Sequence, residues 1–119
     1  MSRAMASRSS IREAFNYAKF LAGLHRLEEA KSLLRKTIPV ARRVLGKSHE
    51  FVLRMRWCYG QALYYDPGAT LDDIRDSVMT LEETERIARR VLGGTHPTTT
   101  GIEKSLRQAR AALRAREPK

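Results

Sequence analysis

The chain contains one ten-residue phrase twice, ARRVLGKSHE from Ala41 and ARRVLGGTHP from Ala88, 47 residues apart. Each copy runs from a basic pair through an apolar pair to glycine, then two spacers, the second with a hydroxyl, and a histidine. Both copies lie where one helical pattern stops and the next begins, so the phrase marks the joint of a repeating unit. A period of this length is the signature of a helical solenoid, where a helix pair cannot bury its apolar face alone and stacks on the next.

The flanking sequence predicts five helices and no strand. Ser10 with Glu13 has the form of a capping box, and Ile11, Ala14, Phe15, Ala18, Leu21 and Ala22 follow at helical spacing, giving a first helix to about Leu24. Leu27, Ala30, Leu34, Ile38, Ala41 and Leu45 mark a second, ended by Gly46, with a kink expected at Pro39 because its ring crowds the carbonyl of Arg35. Ser48 is the expected cap of a third, with Val52, Met55, Tyr59, Ala62 and Leu63 on its apolar face and DPGAT ending it near Tyr65. Thr70 with Asp73 opens a fourth along Leu71, Ile74, Val78, Leu81, Ile87 or Ala88, and Val91, stopped by Gly93 and Gly94. Pro97 suits the first turn of a fifth, whose stripe is Ile102, Leu106, Ala109 and Leu113. The expected organisation is a flexible tail over 1–9, a single helical-repeat domain over 10–116 (units 10–46, 48–93 and 96–116) and a frayed end over 117–119.

Several segments resemble the long tetratricopeptide repeats of the kinesin light chain type. Asn16-Tyr17-Ala18 matches that family's Asn-Leu-Ala segment, Leu27 through Ala30 its second-helix start, and Val91 through Pro97 its linker. The resemblance implies an all-α fold, an antiparallel helix-pair solenoid wound as a right-handed superhelix of about two and a half repeats. It also implies that the first helix of each pair lines a concave face. His25 stands where the family has glycine, Glu50 replaces the first linker's proline, and Cys58 and Ser105 replace the asparagine kept at Asn16. Nine positions separate Leu21 from Ala30 and fourteen separate Leu63 from Ser77, so the second pair carries an insertion within YYDPGATLDD.

Little in the chain points to chemistry. His49 and His96 sit on successive repeats, too far apart for one ion at about 2.1 Å per ligand, and read as groups that hydrogen-bond across their turns. Cys58, the single cysteine, excludes an internal disulfide and reads as a packed small hydrophobe. Asp72, Asp73, Asp76, Glu82, Glu83 and Glu85 make the fourth helix acidic, which reads as a solvated face. No phosphate loop, nucleophile elbow or metal spacing is present, so no enzyme, cofactor or metal site is expected. No apolar run approaches the roughly 18 residues of a membrane span. A cytoplasmic location is expected, with organelle targeting left open by the short acid-free MSRAMASRSS.

The formal charge of +10 directs attention to acidic partners. Arg42, Arg43, Arg89 and Arg90 complement helix C-termini. Arg107, Arg110 and Arg114 form a stripe on the fifth helix, which Lys104 continues, and Arg54 and Arg56 lie on the third. Together with Asn16, Trp57 and Tyr59 these are the candidate partner-binding residues. The expected function is a non-enzymatic protein–protein interaction module or scaffold that holds an extended acidic peptide or a partner helix. The alternatives are RNA binding through the same basic stripe, or a fragment of a longer array that self-assembles, which the lack of a clear polar cap on the fifth helix would fit.

Overall fold

Apolar residues three and four apart bury one stripe of each helix, and five helices result in the computed structural model, which describes residues 7–117. They are α1 (Arg8–Gly23), α2 (Leu27–Leu45), α3 (Glu50–Tyr65), α4 (Leu71–Leu92) and α5 (Pro97–Arg116). No strand occurs among the described residues. Each helix packs on the next in sequence, and α3 also touches α1 and α5, while the backbones of α2 and α4 stay apart.

Two apolar clusters form, and α3 belongs to both. Val52 and Met55 join Ile11, Phe15, Ala18, Leu34 and Ala41, whereas Leu53 joins Val78, Leu81, Ile87, Ala88, Ile102, Leu106 and Ala109. At the α3–α4 crossing Gly60 lets the helices close: a methyl there would stand 2.7 Å from Leu81 Cδ2, and Ser77 Oγ donates to the Gly60 carbonyl at 2.6 Å. Val91, expected on the buried line of α4, is nearly half exposed, and Leu92 packs against the core instead.

The helix ends refine the expected boundaries. Ser7, not Ser10, caps α1, because its extended backbone lets Oγ accept from the Ser10 N–H at 3.0 Å, and the helix starts three residues earlier than a cap at Ser10 would set it. The remainder of the expected tail, residues 1–6, and the terminal residues 118–119 lie outside the described residues. Thr70 and Asp73 form the expected reciprocal capping box. α2 runs unbroken through Pro39, which is exposed, as is Arg35, and which has no N–H to donate to the Arg35 carbonyl.

The doubled phrase adopts one conformation twice. Gly46 and Gly93 end their helices at φ 96° and 95°, a region open to glycine alone, and their N–H groups donate to the carbonyls of Arg42 and Arg89. His49, rather than Ser48, caps α3: its Nδ1 accepts from the Phe51 N–H at 3.0 Å, and His96 does the same for Thr98 at 3.1 Å. The two histidines thus satisfy helix starts across their turns. Glu50 replaces the linker proline with a tie between linkers, its Oε2 accepting from Thr98 Oγ1 at 3.1 Å with His96 Nε2 at 4.0 Å.

The two intra-pair turns differ. His25 takes φ 61° where the resembled family has glycine. The longer turn is folded around Asp66, which accepts from the Gly68 and Ala69 N–H groups and from Nζ of the buried Lys31, at 3.0 Å. On α5, Thr100, Arg107, Arg110 and Arg114 are exposed, with Arg110 paired to Glu82 and Glu103 to Arg89 of α4.

Candidate functional site

Packing α1 beside α3 leaves a cleft of about 250 Å³ lined by Phe15, Lys19, Ala22, Arg54, Trp57, Cys58 and Gln61. Ala22 and Gln61 also line a second recess, about 460 Å³, with Gly23, His25, Leu27, Ala62 and Tyr65. Neither has an acidic lining residue.

The cleft is aromatic-walled and cationic. Lys19 Nζ lies 4.6 Å from the Phe15 ring centroid, and neither Lys19 nor Arg54 has a carboxylate partner among the described residues. Trp57 is fixed by α5: its Nε1 donates to Ser105 Oγ at 2.8 Å, and Gln61 Nε2 donates to the same oxygen at 3.1 Å. The indole occupies the space beside Gly101, where a methyl group would overlap Cη2 and Cζ2. Next along α3, Tyr64 OH donates to Gln108 Oε1 at 2.5 Å, and burial pushes its phenol above the ordinary range. Burial also raises the Cys58 thiol, against the pull of Lys19, so Cys58 stays a neutral wall of the cleft at neutral pH.

The eight residues singled out in the sequence do not form one surface. Arg54 and Trp57 share the α1–α3 cleft, with Asn16 exposed on α1. Arg56 is buried and paired with Glu83 of α4 at 2.7 Å, and it lines a separate recess with Tyr59, Arg35, Ile38, Pro39 and Thr80. Tyr59 OH accepts from Arg35 Nε at 3.3 Å. Arg107 and Arg110 line a third recess with Glu85, Glu103 and Leu106, Arg110 pairing with Glu82 at 2.9 Å, and Arg114 is exposed beyond them. A single basic groove across α1, α3 and α5 therefore does not assemble from these arginines. α5 instead offers Gly101, Ser105 and Gln108 to α3.

Phe15, Lys19, Gln61, Ser105 and Gln108 were not singled out from the sequence. The signal for them is the 42-residue offset that aligns Phe15 with Trp57 and Lys19 with Gln61. No three His, Cys, Asp or Glu side chains come together as a metal site among the described residues. No helix among them is long and apolar enough to cross a membrane. Comparison of the chain with models of protein families, with curated proteins and with solved structures gives no match.

Proposed function

We propose that the chain is a short tetratricopeptide-like right-handed solenoid of the kinesin light chain type, and that it serves as a non-enzymatic module holding an extended acidic peptide in the α1–α3 cleft. The solenoid reading is supported by two linkers with the same hydrogen bonds and by the row of contacts through α1, α3 and α5 with α2 and α4 held apart. The binding reading rests on one observation: Lys19 and Arg54 face an aromatic-walled cleft that contains no acid. Carboxylates of a peptide would meet the two cations while its apolar groups pack on Phe15 and Trp57, the residue types that anchor interfaces.

Trp57, the single tryptophan, is a built-in reporter of this cleft. Titration with a fluorescein-labelled oligo-glutamate peptide, read by anisotropy and by Trp57 emission, should give saturable binding that weakens at least about tenfold in Lys19→Glu/Arg54→Glu, one decade being about 1.4 kcal/mol. Equal binding by wild type and variant, or none by either, overturns the reading. An oligouridylate arm decides the alternative: RNA binding with a steep salt slope and no peptide binding would transfer the function to nucleic acid.

A further inference from the structure

A second concavity on α3 plays no part in the peptide cleft. At 3.6 residues per turn, Arg56 and Tyr59 lie on the side of α3 opposite Arg54, Trp57, Cys58 and Gln61. With Arg35, Ile38 and Pro39 of α2 and Thr80 of α4 they line a recess of about 180 Å³, where α3 lies between the other two helices. One water needs about 10–15 Å³, so the space admits a group of several heavy atoms. Its lining includes two guanidiniums, two hydroxyls and no acid.

Each of the four polar residues keeps a donor that the fold does not use. Arg56, buried, gives Nη2 to Glu83 Oε1 at 2.7 Å, which fixes the guanidinium while Nε and Nη1 bond to nothing else in the chain. Neither atom is sealed from solvent, because Thr99 Oγ1 is the one fully buried side-chain polar atom without a partner among the described residues. Arg35 gives Nε to the Tyr59 hydroxyl at 3.3 Å and makes no ion pair among the described residues, so both its Nη groups remain. Tyr59 accepts that bond and keeps its own proton to donate. The hydroxyls of Thr37 and Thr84 bond back to the carbonyls of Leu33 and Thr80, whereas the Thr80 hydroxyl makes no such bond. The surrounding charge is positive. The Arg56 bond, aided by the charges of Arg42 and Arg86, holds the half-exposed Glu83 below the usual carboxylate range, while Glu28 and Asp73 act on Arg35 as charges only.

We infer that this recess binds a phosphoryl group, free or carried as a small monoester, held by the guanidiniums of Arg35 and Arg56 with Tyr59 and Thr80 as hydroxyl donors. Two guanidiniums and two hydroxyls offer more donors than the two oxygens of a carboxylate can take up, and they suit a tetrahedral oxyanion with three terminal oxygens. Ile38 and Pro39 wall the same space with apolar surface, which free phosphate leaves bare and the organic part of a monoester would cover. The site is independent of the peptide cleft, since no residue lines both.

The test is isothermal titration calorimetry of the full chain with inorganic phosphate and with phenyl phosphate, against chloride at equal ionic strength, so that screening of the +10 charge is the same in every arm. Wild type should bind one anion per chain saturably. Tighter binding of phenyl phosphate assigns the site to a monoester, and equal or weaker binding assigns it to free phosphate. Arg35→Gln should weaken binding at least about tenfold and Thr80→Val severalfold, both with the helical circular dichroism of wild type. Arg116→Gln, at the exposed end of α5, should leave it unchanged. No saturable heat with either anion, or binding indifferent to both Arg35→Gln and Thr80→Val, overturns the inference.

Discussion

The indole of Trp57 fills the space that any side chain at Gly101 would need, while its Nε1 donates to Ser105 Oγ. A cleft wall on α3 is thus set by the smallest residue on α5. Gly101→Ala should move the ring and destabilise the fold by about 1–2 kcal/mol, because overpacking costs more than the roughly 1 kcal/mol of helix propensity that alanine adds. A denaturant series with Trp57 emission measures both effects. An unchanged emission maximum together with raised stability would refute the contact.

Ser105→Ala removes the acceptor shared by Trp57 and Gln61 and leaves two partly buried donors to find water. A loss of about 1–2 kcal/mol is expected, with greater accessibility of Trp57 to acrylamide quenching. Quenching equal to wild type would show that packing alone holds the ring.

The linkers make a third case. His49→Ala and His96→Ala should each cost about 1 kcal/mol through the lost helix cap, while His49→Asp and His96→Asp should preserve most of it. Urea unfolding of the four variants distinguishes capping from generic packing, since packing would not be restored by the smaller carboxylate.

Glu50 and Thr98 should be energetically coupled. A double-mutant cycle of Glu50→Gln with Thr98→Val should give a coupling of up to about 1 kcal/mol, kept small by the exposure of Glu50. Zero coupling would leave the exchange of proline for Glu50 without an energetic role.

The turn around Asp66 responds to pH in a defined direction. The Gly68 N–H, then the Lys31 ammonium, hold its carboxyl below the usual carboxylate range. Burial works against the Lys31 charge, and its bonds to Glu28 and Asp66 outweigh that cost and raise it. A lowered acid in the folded state stabilises fully above its unfolded value of about 3.9 and loses that contribution as pH falls through the folded value. The melting difference between wild type and Asp66→Asn should therefore be greatest near neutrality, about 1–2 kcal/mol, and vanish in strong acid. A difference independent of pH would place the effect elsewhere.

Helix number and most buried positions were legible because a 3.6-residue period leaves its mark on every amphipathic helix. Caps were less so. Ser10 and Ser48 have the commoner capping chemistry, yet the hydrogen bonds come from Ser7 and the imidazole of His49, and the choice depends on where the backbone first turns extended. The site was the least legible part. Arg54 and Arg56 are two residues apart, but one faces α1 and the other is drawn into a pair with Glu83, a partner 27 positions away that no local pattern announces. Arg107 and Arg110 on α5 lie beside Glu85 and Glu103, with Arg110 paired to Glu82, acids on another helix or turn that the spacing of the arginines does not announce.

Val52 and Leu53 are adjacent on α3 but sit in different apolar clusters. Neither cluster can be exposed without freeing the helix that completes the other, so the two pairs form one cooperative unit instead of two. The molecule should then melt in a single transition with calorimetric and van't Hoff enthalpies equal, and neither hairpin should persist when cut from the other. A binding event on one side of α3 would for the same reason be felt as rigidity on both.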